Sequence, residues 1–329
     1  MTNQQWTLTH TPLAFHNSFP PQARPRLSLF HGGWFITYWV LFVPCLLLGF
    51  VQFAMLTPSG DDGPLSVLVA LMLAAVELLS AGGLIMLLMI ARGTPKRLVA
   101  MAVGWGAVIA TMTAALVVSP PLLSIADKLG WHTVALSIAA AVPEEVLKGL
   151  GIWGLMIIGR SWWNRPWHGI VAGMLVGLGF EAIENAMYAL KLSSLNPESS
   201  VHGVIGIYLL RLAMGPLPHV LMSGLVGYAI GKVLCEGPAM GTRDRVLILV
   251  GCMGIAMTAH FAWNVQFPAD AEMMELIVYR GIIWCLLVAI VATVIVASRR
   301  RLKPLRPVSY THLTLPTKLR CRSRWSPYH

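Results

Sequence analysis

The chain has 329 residues, of which 56% are hydrophobic and 12% are charged, and its formal net charge is +10. Soluble globular domains carry charge on roughly a quarter of their residues, so this composition excludes an ordinary soluble protein. Long apolar runs recur from Trp34 to Ala297, each close to the roughly 20 residues that a membrane-spanning helix needs. We therefore predict an all-α fold, a polytopic bundle of membrane helices.

About eight apolar spans follow one another along the chain. They lie at about 34–56, 65–91, 98–118, 133–158, 168–190, 209–233, 246–266 and 274–297. Lysine and arginine concentrate in every second loop, as in Arg92, Lys96 and Arg97 after the second span. Since positively charged loops stay on the cytoplasmic side of a membrane, both termini are predicted to be cytoplasmic.

The two ends of the chain differ from the predicted membrane domain at 31–300. Residues 1–30 are polar and contain several prolines, so we expect a disordered cytoplasmic tail. A short basic tail follows at 301–307, and residues 308–329 resemble a translated sequencing adapter, which we expect to be an artefact. Without the four basic residues of that segment the net charge falls from +10 to +6, and we predict no binding to nucleic acid.

The fourth span carries three charged residues in the sequence PEEVLK. Glu144 and Glu145 lie near its middle, and Lys148 lies one turn further on. A charge at bilayer depth costs about 2.5–3.5 kcal/mol on insertion scales, so each of these residues is a functional candidate. Glu144 and Lys148 have the favourable i, i+4 order and are predicted to pair, which leaves Glu145 free to face a cavity. A purely structural Glu–Lys pair is the alternative.

The fifth span places two further carboxylates on a face of small residues. Gly169, Gly173 and Gly177 recur at every fourth position, which predicts close packing against another helix. Glu181 continues this row and Glu184 lies near it, so both should face the bundle and not lipid. Two carboxylates one turn apart repel when both are ionised, so they need a proton or a cation between them.

The sixth and seventh spans each contribute one histidine. His219 is predicted to lie on a packing ridge that starts at Arg211 and recurs at every fourth residue, and His260 shares a helix face with Asn264. Taken singly, each histidine is more simply explained as a hydrogen-bonded core residue. With a cytoplasmic N-terminus, however, the carboxylates and histidines of spans four to seven all fall at one depth, offset toward the extracytoplasmic side.

Taken together, these motifs resemble the PrsW family of intramembrane proteases, which is related to the CAAX-type prenyl endopeptidases. The matching pieces are EEVLK, FEAIEN, PHVLMSGLVGYAIG and HFAWN, within roughly residues 135–270. The resemblance implies a protease of the bacterial inner membrane that hydrolyses a membrane-anchored protein within the lipid bilayer. It also implies that the substrate is an anti-sigma factor, which receives its first cut on the extracytoplasmic side.

Two chemistries fit the motif residues, and the first uses a metal. A divalent ion such as zinc would be held by His219, His260 and one carboxylate, with one position open for water. We name Glu181 as that carboxylate. Glu145 or Glu144 would then act as the general base. The convergence of two histidines with several carboxylates favours this chemistry.

The second chemistry needs no metal. Glu145 would take a proton from water directly, and His260 with Asn264 would stabilise the oxyanion. In both chemistries Lys148 orients or neutralises Glu144, while Glu77 in the second span is interpreted as structural. The predicted catalytic residues are Glu144, Glu145, Lys148, Glu181, Glu184 and Asn264.

Two other classes of function remain open: a proton-coupled transporter and a non-catalytic scaffold or receptor. Chains of intramembrane Glu and His also form proton relays, but a relay needs a polar path through both faces of the membrane. Here the polar residues cluster at one level, which favours the protease. A protease further requires the Glu and His side chains to converge within about 3 Å of a shared water or metal position.

Overall fold

The computed structural model describes residues 32–268 and 272–300, and this part of the chain is helical. The predictions for residues 1–30, 301–307 and 308–329 lie outside the described residues. In chain order the helices are α1 (Gly33–Leu56), α2 (Gly63–Leu87), α3 (Lys96–Lys128), α4 (Ala135–Ile158), α5 (Pro166–Leu192), α6 (Ser200–Met214), α7 (Pro218–Glu236), α8 (Thr242–Trp263) and α9 (Met273–Arg300).

The helix lengths agree with a membrane bundle. Within the described ranges, seven helices are long and apolar enough to cross a membrane, namely α1, α2, α3, α5, α7, α8 and α9. Helix α4 is equally suitable in length, with 24 residues, but it carries Glu144, Glu145 and Lys148. Helix α6 is apolar but has only 15 residues, short for a hydrocarbon core of about 30 Å. The prediction of an all-α polytopic bundle is confirmed.

The sixth predicted span needs a correction. It was expected as one helix over 209–233, but the structure breaks the chain before Pro218, where α7 begins. Leu217 adopts a left-handed conformation with φ 62°, which is uncommon for a residue with a side chain, and prolines flank it on both sides. Arg211 therefore lies on α6 and does not continue the ridge of His219.

Helices α5 and α7 pack backbone against backbone in the bundle core. A Cβ atom added at Gly173 would overlap the carbonyl oxygen of Ser223, and one added at Gly177 would overlap the carbonyl oxygen of His219. The predicted close packing of this glycine row is therefore confirmed. Because the two backbones touch here, their register is fixed, and Glu181 is brought against the first turn of α7.

Helix α3 packs on another side of α5. A side chain at Gly106 would overlap the backbone of Val176, and one at Gly179 would overlap the backbone of Val103. The indole nitrogen of Trp105 donates to the carbonyl oxygen of Leu147 at 3.0 Å, which ties α3 to α4. Helix α5 thus lies between α3 and α7, and α4 lies beside all three.

Candidate active site

Lys148 and Glu145 form a buried ion pair on α4. Both side chains are inaccessible to solvent, and Lys148 Nζ donates to Glu145 Oε1 at 2.5 Å. His260 Nδ1, on α8, donates to the same oxygen at 2.9 Å, since an ionised carboxylate can only accept. The sequence predicted Glu144 as the partner of Lys148. The structure pairs Lys148 with Glu145, because the ammonium group points toward His219 on α7.

His219 joins α4 to a second ion pair. Its Nδ1 lies 2.9 Å from Lys148 Nζ and must be the acceptor, since an ammonium group only donates. Its Nε2 therefore carries the proton and donates to Glu184 Oε2 at 3.1 Å. The guanidinium of Arg211 holds Glu184 with a 2.7 Å hydrogen bond and donates to the amide oxygen of Asn185 at 2.6 Å.

Glu181 binds the backbone at the start of α7. Its Oε2 accepts a hydrogen bond of 2.9 Å from the main-chain N–H of His219, the second residue of the helix. The first N–H groups of a helix lack partners inside the helix and carry partial positive charge, so a carboxylate here satisfies and stabilises the helix end. Although Glu181 was predicted as a metal ligand, the structure gives its carboxylate this capping contact.

The atoms best placed for a cation belong to Glu144 and His260. Glu144 Oε2 and His260 Nε2 lie 3.6 Å apart, and both are buried without a hydrogen-bond partner within the described chain. Since His260 Nδ1 donates to Glu145, its Nε2 presents a lone pair. Two acceptors that face each other require a proton, a water molecule or a metal ion between them.

A third donor completes a group that fits a metal ion. Ligand atoms of Glu144, His219 and His260 all lie within 4.8 Å of one another, and the three residues are buried. A carboxylate with two imidazoles is a common donor set for zinc. The hydrogen bond from His260 to Glu145 is also the usual way to orient a metal-binding histidine. Both ring nitrogens of His219 are already engaged, so His219 must exchange one contact to bind an ion.

A cavity of about 190 Å³ adjoins this group, and we call it the catalytic cavity. Glu144, Phe180 and Glu184 border it, together with Gln52 from α1 and residues of α3. Glu145 does not border it. Of the two adjacent carboxylates on α4, Glu144 is therefore the one that borders this cavity.

Asn264 lies at a different cavity. It ends α8 one turn after His260 and borders a space of about 420 Å³ with Arg211 and Arg280. Its side chain makes no hydrogen bond to the described residues. The structure therefore brings together Glu144, Glu145, Lys148, Glu184, His219 and His260, while the Asn264 side chain borders the neighbouring cavity.

Two charged residues near the site received no functional role from the sequence. Glu77 on α2 was interpreted as structural, and it accepts from Tyr208 at 2.6 Å and from the amide nitrogen of Asn185 at 3.2 Å. It thus continues the hydrogen-bond network of Arg211 and Asn185 to α2. Arg280 in the last span received no role. The available signal in both cases was a single charge inside an apolar run, which is costly in a membrane.

A comparison with protein families identifies the family of the chain. The family model described as PrsW family intramembrane metalloprotease matches residues 94–297, a wider range than the motifs at 135–270. No curated protein and no solved structure shows a significant match to the chain. The matched range is well over half of the chain and includes α4, α5, α7 and α8, which carry the Glu and His cluster. The chain therefore belongs to the PrsW family of intramembrane metalloproteases and is a multi-pass membrane peptidase of that type.

Proposed function

We propose that this peptidase makes the first cut in a membrane-anchored anti-sigma factor, on the extracytoplasmic side of a bacterial inner membrane, with zinc as its metal. The chemistry rests on Glu144 Oε2 and His260 Nε2, which lie 3.6 Å apart at the residue that borders the catalytic cavity, Glu144. A cation between them would satisfy two buried acceptors that have no hydrogen-bond partner among the described residues.

Each residue of the cluster then has a distinct role. Glu144, His219 and His260 would hold the ion, and zinc bound there would act as a Lewis acid on the scissile carbonyl and activate water. Glu145 orients His260 through Nδ1, and Lys148 balances the charge of Glu145.

Glu144 is also the carboxylate placed to take a proton from water. It borders the catalytic cavity, whereas Glu145 has one oxygen bound to Lys148 and His260 and does not reach that space. On the opposite side Glu184 orients His219 through Nε2. We therefore assign the role of general base, which the sequence left open between Glu144 and Glu145, to the oxygen of Glu144 that would not hold the ion.

The location of the cavity supports an extracytoplasmic cut. Leu136 near the start of α4 and Lys191 near the end of α5 both border the catalytic cavity. Under the predicted topology, with both termini in the cytoplasm, these two helix ends lie on the extracytoplasmic side. A single-pass substrate would therefore present the peptide next to its membrane segment to Glu144.

The first experiment measures metal content and cleavage together. The purified full chain is assayed for bound zinc by mass spectrometry and for cleavage of a single-pass substrate, with and without chelator. We expect zinc at one ion per chain, and loss of both zinc and cleavage in Glu144→Gln and His260→Gln. Glu198 contacts His202 at an exposed position outside the site. Glu198→Gln is therefore the matched control and should keep both zinc and cleavage.

A metal-free mechanism is the alternative for the same pair of atoms. A water molecule between Glu144 and His260 would satisfy both acceptors, and Glu144 would take its proton directly. In that case the purified protein contains no zinc and chelator leaves cleavage intact. This result would refute the metal but not the assignment of Glu144.

The cut site tests the substrate side of the proposal. Mass spectrometry of the cleaved substrate should place the bond at or beyond the extracytoplasmic end of its membrane segment. A cut in the cytoplasmic half would contradict the topology and the position of the catalytic cavity.

A further inference from the structure

Arg280 is a cation inside a membrane helix without a carboxylate partner among the described residues. It lies seven residues after the start of α9, about 10 Å along the helix axis. Its Nη1 contacts the sulfur of Met214 at 3.5 Å, its guanidinium lies 5.5 Å from the ring of Trp263, and its Nε is buried without a hydrogen bond. An intramembrane charge that is so weakly satisfied is costly, which indicates a function.

The neighbouring arginine shows the contrast. Arg211 borders the same cavity, but it donates to Glu184 and Asn185 and lies 4.3 Å over the ring of Tyr188. Glu272 also borders the cavity, yet it forms no ion pair with Arg280. Among the described residues, Arg280 is thus the cation at this cavity that forms no ion pair.

The cavity itself has the size and position of a binding site. We call this space of about 420 Å³, bordered by Arg211, Asn264 and Arg280, the arginine cavity. Its volume falls in the range of small-ligand pockets, roughly 300–1,000 Å³. Leu136 and Tyr188 border both this cavity and the catalytic cavity, so an occupant would lie next to the peptide being cleaved.

We propose that the arginine cavity binds an acidic side chain of the substrate, close to the scissile bond on its extracytoplasmic side. This inference rests on the proposed function, since it requires a peptide in the catalytic cavity. The guanidinium of Arg280 provides a planar pair of donors that matches a carboxylate, and the amide of Asn264 provides a neutral donor beside it. The two cavities share Leu136 and Tyr188, so an anion held by Arg280 would lie next to the peptide, which favours a substrate side chain over a lipid phosphate.

The test scans one acidic residue through the extracytoplasmic segment of a single-pass substrate. Each substrate is compared with its Glu→Gln counterpart, using the full chain reconstituted in phosphatidylglycerol vesicles. At one position we expect the amide to lower kcat/KM about tenfold for the unmodified protein, the effect of one lost hydrogen bond to a charged group. For Arg280→Gln the two substrates should differ by less than about twofold, because the partner charge is gone.

Two further variants test whether the shape of the Arg280 side chain matters and whether the effect is specific to this arginine. Arg280→Lys keeps the charge but loses the planar fork, so it should retain part of the preference for the acid. Arg245→Gln is the matched control, because Arg245 lies at the opposite end of α8 and donates to the carbonyl oxygen of Met240. It should retain the full preference.

A binding measurement separates this inference from the proposed function. Fluorescent peptides of the same sequences are bound to the full chain and to its Arg280→Gln variant. Acid-dependent binding that requires Arg280, without any cleavage, would support the cavity and refute the protease assignment for these substrates. Cleavage without dependence on the acid or on Arg280 would overturn the inference and leave the protease assignment intact, and absence of both would overturn both.

A lipid phosphate is the alternative anion for the arginine cavity, and it is tested by a separate measurement. Native mass spectrometry would show whether Arg280→Gln loses bound phosphatidylglycerol relative to the unmodified protein. Loss of lipid together with an unchanged acid preference would show that the arginine cavity holds a phospholipid, and the substrate inference would be wrong.

Discussion

Replacing Lys148 by Met tests the buried ion pair at the centre of the site. Lys148 Nζ lies 2.5 Å from Glu145 Oε1, and both side chains are inaccessible to solvent. Removing one partner of a buried pair costs about 3–5 kcal/mol, because a charge is left without compensation. His260 still donates to the stranded carboxylate at 2.9 Å, so we expect the lower end, about 3 kcal/mol.

The assay is reversible unfolding in mixed micelles, followed by the fluorescence of the 12 tryptophans. Methionine keeps most of the apolar stem of Lys148 but also loses the contact of Nζ with the Phe180 ring, 4.5 Å from its centroid. Adding Glu145→Gln to Lys148→Met removes the stranded charge, and the double variant should be more stable than Lys148→Met by about 1–2 kcal/mol. Lys128→Met, at the exposed end of α3, is the control and should shift stability by less than about 0.5 kcal/mol.

Two outcomes would refute this reasoning. A Lys148→Met variant as stable as the parent would show that the ion pair contributes nothing. The second outcome is that adding Glu144→Gln to Lys148→Met recovers stability while adding Glu145→Gln does not. Glu144 would then be the partner of Lys148, as the sequence predicted.

Three further predictions concern packing and orientation around the site. Glu181→Gln should lower the free energy of unfolding by about 1–2 kcal/mol, because the cap on α7 becomes weaker. The zinc content should stay unchanged. Loss of zinc in this variant would identify Glu181 as a metal ligand. Gly173→Val should destabilise by about 3 kcal/mol or more in the same assay, because the added atoms meet the α7 backbone, while Gly206→Ala in open space is the control. Glu77→Gln should lower kcat about fivefold with little change in KM. The reason is that the NH₂ group of the new glutamine would face two donors, Tyr208 and Asn185. An unchanged kcat would limit Glu77 to a structural role.

The elements that were predictable from the sequence are those with a local repeat. The glycine row of α5 was visible as a spacing of four, and the structure confirms its contact with α7. The break before α7 was not predicted, because apolar residues and a spacing of four from Arg211 to His219 continue across it. Two prolines marked that position, and their effect on the backbone outweighed the hydrophobic pattern.

Partner choice within the site was beyond the sequence for a physical reason. Lys148 lies within reach of both Glu144 at i−4 and Glu145 at i−3, and the position of α7 decides between them. Glu181 was correctly expected to face the bundle, but its partner is a backbone N–H at a helix end that the sequence did not reveal. The contact of Glu77 with Tyr208 joins residues 131 positions apart and has no local signal.

The charge balance of the core requires either protons on the carboxylates or a bound cation. Five carboxylates lie near one another against two cations, Lys148 and Arg211; the carboxylates are Glu77, Glu144, Glu145, Glu181 and Glu184. If all were ionised, three negative charges would remain uncompensated in a membrane interior, where each is expensive. A divalent ion at Glu144, His219 and His260 would compensate two of them.

A divalent ion held there should stabilise the fold as well as support cleavage. With free zinc at 100 times its dissociation constant, the added stability is about 2.7 kcal/mol, provided that the unfolded chain does not bind it. We therefore expect chelator to lower the free energy of unfolding by about this amount in the parent, and to have no effect in His260→Gln. Equal stability of the parent with and without chelator would mean that protons, and not a metal, neutralise these carboxylates, and Glu144 would then act on water alone.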